Sequence, residues 1–562
     1  MLDTIVRGGL VVDGSGASAR IADIGIRNGV IEVIGAIAQA GAQEIDARGL
    51  VVTPGFVDIH THYDGQAVWD PYLSPSCLHG VTTVVMGNCG VGFAPVRAGE
   101  RDWLIRLMEG VEDIPGTVLA EGIDWQWESF PQYLAALRRK RFALDVAAQI
   151  PHGPLRTWVM GSRGADPTMH PTEAEIRAMG ELVSEALALG AIGFSTSRTV
   201  VHRSSDGKPT PSLSAKPAEL LGIARAMRTS GRGIFEIVSD FSPLEHEFAL
   251  IREIAAQSGR QVSVALTQTP EQPDAWRRIL ELIAGARAEG LDIHAQVAAR
   301  PISVLMGLSN RVNFLAVSAS YRALMGLPLD EQAARLREPD TKRRILAELD
   351  LSLLPSAMLC DWNNIFRFDA TLPYLPPRES SVAVQAARSA TAPEFLAYDW
   401  LLEGEGRHFL YTPVRNYAEA SPAVLREMIQ SELTVIGLAD GGAHCAVLSD
   451  AGMPTFVLTQ WREQPDGKGF ALEWLVQQLT QRPAEAWGFI DRGLIAPGKR
   501  ADLNLIDLER LALRMPAWEY DLPAGGGRLV QDADGYVMTL VAGVPTVCDG
   551  VTTGLLPGRL LT

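Results

Sequence analysis

The chain is poor in cysteine. Five in 562 residues are too few to staple so long a protein, so a reducing compartment and a cytoplasmic location are expected. It has no uninterrupted apolar run of about 18 residues, the length a membrane-spanning helix needs. Met1 to Gly9 lack the basic start and apolar core of a secretion signal. Positive charge is in deficit as well. Lys and Arg number 50 against 66 Asp and Glu, a net −16, with no Lys/Arg run, so neither nucleic acid nor membrane is an expected partner. No Gly-rich phosphate loop follows a strand, and no G-x-S-x-G elbow offers a serine nucleophile. Repeats and low-complexity tracts are absent. What is there is 47 % hydrophobic and 21 % charged, an ordinary globular balance.

The first fifty residues read as short strands joined by tight turns, including Asn28-Gly29, a strong hairpin signal. From about Leu50 strand and helix alternate. Eight apolar runs qualify as parallel strands: Gly55–His60, Thr82–Gly87, Leu144–Gln149, Ala191–Ser195, Gly233–Val238, Gln261–Gln268, Leu291–Val297 and Leu433–Leu438. Amphipathic stretches such as Glu173–Ala188 and Ala275–Ala288 lie between them. This predicts an α/β fold, a (β/α)₈ barrel across 53–482. Residues 305–431 form a lid-like insertion between the seventh and eighth strands. Short strands return after Pro483, so segments 1–52 and 483–562 are expected to pair into one small β-sandwich holding the barrel.

The sharpest chemical signal is Val57-Asp58-Ile59-His60-Thr61-His62. Alternate side chains of a strand share a face, so His60 and His62 point the same way at the barrel end where active sites are built. Two imidazoles so placed make half a site for a cation such as Zn²⁺. An arbitrary H-x-H is more often a solvated strand end, and the motif gains its weight from its neighbours. Gly87-Asn88-Cys89-Gly90 ends the second strand and offers a thiolate. Leu438-Ala439-Asp440-Gly441-Gly442-Ala443-His444 closes the eighth strand, which neighbours the first in a closed barrel, so Asp440 can reach both histidines.

These segments resemble the amidohydrolase superfamily, and within it the N-acyl-D-amino-acid deacylase (D-aminoacylase) branch. Pro54 through Asp64 match its metal strand, and Gly87-Asn88-Cys89-Gly90 the loop of its metal-bridging cysteine. Leu438-Ala439-Asp440-Gly441 match its catalytic aspartate strand, and Arg492 through Leu503 the superfamily's return into its β domain. The resemblance implies one divalent metal, Zn²⁺ or else Fe²⁺, on His60, His62, Cys89 and Asp440, with a second metal left open. It implies hydrolysis of a C–N amide bond of a small N-acyl substrate, with Asp440 as general base and then general acid. The branch also places a metal-binding histidine at the ends of strands five and six. Here those strands read Ile234-Phe235-Glu236-Ile237-Val238 and Val264-Ala265-Leu266-Thr267-Gln268.

Glu236, His294, Gln296 and His444 are therefore candidates to complete a metal site or line its pocket. For a substrate carboxylate Arg300 is preferred because it follows the seventh strand at the barrel mouth, with Arg198 or His202 as alternatives. His152 is a candidate to orient a substrate carbonyl. Three other readings stay open: a hydrolase of a cyclic amide, carbamate or ester on the same metal and aspartate, a binding protein that kept the barrel and lost catalysis, and a self-assembling scaffold. Homo-oligomerisation is likewise left open.

Overall fold

A computed structural model describes residues 1–562 except 355, 448–449 and 465–466. Eight parallel strands in sequential order form its central sheet. They are β1 (Phe56–Asp58), β2 (Val81–Met86), β3 (Asp145–Pro151), β4 (Gly193–Arg198), β5 (Ile234–Ser239), β6 (Val262–Ala265), β7 (Ile293–Val297) and β8 (Thr434–Ile436). Thr61 and Gly441 form a parallel bridge between the two ends of this sheet, and His62 N–H donates to the Gly441 carbonyl at 2.8 Å. The sheet thereby closes as a barrel. Each of the eight expected runs overlaps one strand. β6 and β8 are shorter than expected, because the backbone turns away early. Gln268 pairs with Asn416 instead of a strand neighbour, and Leu438 adopts φ +59°.

Helices cover the barrel where the 3.6-residue pattern places them. Glu173–Ala188 starts on a Thr172/Glu175 capping box, the reciprocal arrangement that satisfies two orphan N–H groups. Ala275–Ala288 buries Trp276, Ile279, Ile283 and Ala286, the i, i+3, i+7 face of an amphipathic helix.

The two ends of the chain share one nine-stranded sheet. Leu503–Ile506 lies antiparallel to Val51–Pro54, joining the C-terminal strands to the N-terminal ones. Asn28 and Gly29, both at positive φ, make the tight turn between Arg20–Arg27 and Val30–Gly35, as the I′ hairpin requires. Between β7 and β8 the chain builds a three-stranded antiparallel sheet, Ile302–Met306, Phe409–Arg415 and Phe366–Phe368. Helices around Tyr321, Ile345 and Tyr398 give this segment a core of its own. Among the described residues no helix is long and apolar enough to cross a membrane.

At the barrel's N-terminal rim, buried Asp145 faces Arg492 at 2.8 Å and Arg500 at 3.2 Å. Arg492 also donates to Thr83 on β2. This ionic knot fastens the C-terminal segment under the barrel.

Candidate active site

A cavity of about 580 Å³ opens at the C-terminal rim, with His60, His62, Cys89, Glu112, Asp440 and His444 in its wall. The donor atoms of His60, His62 and Cys89 all lie within 4.8 Å of one another. His60 Nε2 is 3.3 Å from Cys89 Sγ. One Asp440 oxygen stands 3.5 Å from both histidine Nε2 atoms. All three strand ends singled out from sequence thus converge.

Each donor is held by its surroundings. Gly87 follows β2 at φ +83°, and a Cβ there would sit 2.3 Å from the Gln149 carbonyl oxygen, so only glycine passes. Asn88 donates to the Thr61 and Val85 carbonyls and accepts from Gln149. Cys89, itself at φ +56°, donates its N–H to Glu236 Oε2 at 3.1 Å. Asp440 N–H donates to the His60 carbonyl. Next to it a Cβ on Gly441 would meet Ser76 Oγ at 2.7 Å. Cys89, Leu438 and Asp440 all hold left-handed backbone, a cost of about 1 kcal/mol or more apiece that clusters at functional sites.

Gln296 Oε1 lies 2.9 Å from His60 Nδ1, while its amide nitrogen donates to Ser263 Oγ. That fixes the amide, puts the His60 proton on Nδ1 and turns the bare Nε2 lone pair toward Cys89 and Asp440. Glu112 Oε1 stands 3.3 Å from His62 Nδ1, within ion-pair distance but without a hydrogen bond. Gln296 therefore orients a ligand rather than acting as one.

Burial lowers His60 to about 4. For His62, burial is outweighed by Glu112 and Asp440, which lift it to about 9. Burial, reinforced by Glu236, pushes the Cys89 thiol well up, and burial raises Glu236 to about 8. Asp440, only partly buried, is held far below the ordinary carboxylate range by its histidines. Among the described residues, Glu236 Oε1 and His62 Nδ1 have no hydrogen-bond partner. Two imidazoles, a thiol and several carboxylates buried together call for a dication. The donor set suits a borderline metal such as zinc.

Other candidates fall elsewhere. His202 and His444 do line the cavity. His202 is joined through Nδ1 to Ser197 Oγ at 2.9 Å and is lowered to about 3 by burial. His294 does not reach it. Two residues earlier on β7 than Gln296, it sits about 6.6 Å further down the barrel and contacts Asp292 at 2.7 Å. Arg300 is no carboxylate clamp. It is 1 % exposed, paired with Asp450 and stacked on Tyr374. Arg198 is occupied by both Glu247 oxygens and the Ala215 carbonyl. His152 is locked between Thr196 and Glu219, the latter also holding Arg156, so it braces β3 and β4 instead of facing substrate.

Two residues escape the sequence reading. Glu112 ends the helix Arg101–Glu112 on the same face as Leu104 and Met108, and a carboxylate on an apolar face was the available signal. Arg415, on the strand Phe409–Arg415, lines the cavity. It donates to the Val414 carbonyl, and among the described residues it makes no ion pair.

N-acyl-D-glutamate deacylase of Alcaligenes xylosoxydans xylosoxydans is 27 % identical, over 94 % of this chain and 91 % of its own. An uncharacterized protein of Mycobacterium tuberculosis is 28 % identical, over 98 % and 92 %. A solved D-aminoacylase structure superposes with TM-score 0.65 at 24 % identity, covering all of both chains, which establishes the shared fold. The model of the amidohydrolase family matches residues 43–547, a span that takes in every donor of the site, and the chain belongs to that family.

Proposed function

We propose that the chain is a one-metal hydrolase that cleaves the amide C–N bond of an N-acyl-D-amino acid. One observation carries this: a three-donor cluster and an acidic side chain meet in a cavity whose wall also holds an arginine, Arg415, with no ion-pair partner among the described residues. His60, His62 and Cys89 would hold the ion, zinc or else ferrous iron. When bound, that ion polarises the scissile carbonyl and makes water a competent nucleophile at neutral pH. Asp440, kept ionised by its histidines, takes the proton of the attacking water and delivers it to the departing nitrogen. Gln296 holds the His60 imidazole in its tautomer, and Glu112 sets a carboxylate beside the His62 ring. Arg415 pairs with the substrate carboxylate, and His202 faces the reacting carbonyl. The names of the relatives, D-aminoacylase and N-acyl-D-glutamate deacylase, support the D-amino-acid part of the reading.

Metal content per chain, measured on wild type and on His60→Ala/His62→Ala, should be about one equivalent and near zero respectively. Wild type should release free amino acid from N-acetyl-D-amino acids and not from their L enantiomers. Arg415→Met should raise KM about tenfold or more while leaving metal content alone. Failure to bind any of several divalent ions would overturn the reading, and metal binding without hydrolysis would favour a binding protein.

A further inference from the structure

A second cavity, of about 470 Å³, shares no lining residue with the first. It lies between the start of the helix Arg101–Glu112 and the helix Phe130–Arg139. Its wall holds Arg101, Trp125, Gln126, Glu128, Gln132 and Arg139. The guanidinium of Arg101, half-buried, stacks on the Trp125 ring with 5.3 Å to its centroid. Its Nε is closed to solvent with no hydrogen-bond partner, and among the described residues Arg101 makes no ion pair. Arg139 gives one amine to Gln126 Oε1 at 3.0 Å and makes no ion pair either. Gln132 Oε1 accepts from the Glu128 and Ser129 N–H groups. That fixes the amide and leaves its two N–H donors for something else. Donors in this wall are unspent, and Glu128 is its single carboxylate.

Arg139 belongs to Arg138-Arg139-Lys140-Arg141, a basic run that the sequence reading overlooked. Arg138 is bound to the Leu189 carbonyl and Lys140 to the Val68 carbonyl. Neutral carbonyls leave that charge uncancelled, and among the described residues none of the four makes an ion pair. In a chain of net −16 this patch carries the opposite sign to the whole.

Two cations that share one wall repel each other, and an anion between them turns that repulsion into attraction. We infer that this cavity is an accessory binding site for a small, multiply charged oxyanion. Arg101 and Arg139 hold it by charge-assisted hydrogen bonds, with the Gln132 amide as a neutral donor. Glu128 works against the anion, and its exposed side chain is free to swing into solvent. Phosphate and dicarboxylate share the chemistry that a pair of guanidinium forks recognises. None of these residues takes part in the proposed hydrolysis, so the inference stands apart from it.

The test reads occupancy at the two arginines themselves, so an anion bound at the metal is not mistaken for one bound here. Zinc-loaded full chain is treated with phenylglyoxal, which modifies arginine, and the rates at Arg101 and Arg139 are followed by peptide mass spectrometry. Inorganic phosphate or succinate should slow both rates with one common half-saturating concentration, while sodium chloride at equal ionic strength should not. Protection by phosphate alone assigns the site to phosphoryl groups, by succinate alone to dicarboxylates, and by both to oxyanions of either source. Arg101→Met, read at Arg139, and Arg139→Met, read at Arg101, should each raise the half-saturating concentration about tenfold or more. Glu128→Gln should lower it. No protection by either anion at tens of millimolar overturns the inference, as does protection at one arginine that survives loss of the other.

Discussion

At the N-terminal rim of the barrel, Asp145 is enclosed by Arg492 and Arg500. At the C-terminal rim, Asp64, Glu112 and Glu236 are buried and Asp440 partly so, and, among the described residues, they meet no lysine or arginine within ion-pair distance. The same barrel thus handles buried negative charge in two ways. Below, the compensating cations are covalently part of the chain and always present, which suits a joint whose task is to stay shut. Above, compensation is left to histidines and to an exchangeable ion, which suits a site that must respond to what enters it. The lower rim spends its charges on cohesion and the upper on chemistry.

That contrast can be broken from either end. The largest effect is expected from Asp440→Asn, which removes the proton acceptor while keeping its shape. Turnover should fall by about 10²–10⁴-fold, with metal content unchanged by elemental analysis. Arg492→Met strips the lower rim of its central cation and leaves Asp145, and Asp502 3.9 Å from the same guanidinium, buried with less compensation. About 3–5 kcal/mol of stability should be lost in denaturant melts, while the specific activity of the remaining folded fraction stays at the wild-type level. Chelation should lower the melting temperature of wild type, because it withdraws up to about 4 kcal/mol of stabilisation that an ion supplies at a concentration a thousandfold above Kd. His60→Ala/His62→Ala should show no such shift. The mildest is Gln296→Leu, which frees the His60 ring to rotate or change tautomer. Metal affinity should fall about 10–100-fold in a competitive chelator titration, with turnover of the fully loaded protein much less affected.

How much of this was legible in sequence follows from distance along the chain. His60, His62, Cys89 and Asp440 could be read because each lies at a strand end marked by local punctuation: a proline and glycine before the first pair, glycines on both sides of Cys89, and two glycines after Asp440. The barrel was readable for the same reason, since apolar runs and helical periods are local patterns. Pairing is not local. Arg300 looks like a mouth residue until Asp450 is folded against it. His152 looks available until Glu219 closes on it. Arg198 is taken by Glu247, which sits on a later helix. Arg415 could not be found because it enters the cavity from an insertion strand, beside Ile302 and over a hundred residues beyond it. Glu112 sits in a helix between two strands, where its burial is a tertiary fact.

The bridge between Thr61 and Gly441 has a bearing on biosynthesis. The residues flanking it are the site itself, His60 and His62 on one side and Asp440 on the other, so ring closure and assembly of the centre are a single event. About 380 residues separate the two halves, which at roughly 5–20 residues per second is about 20–75 s of translation. Throughout that interval the nascent chain carries two imidazoles and then a thiol without their carboxylate. An ion captured early would be held by an open, three-donor arc, exposed to exchange. Only when the eighth strand leaves the ribosome can the seam shut and the ion be committed.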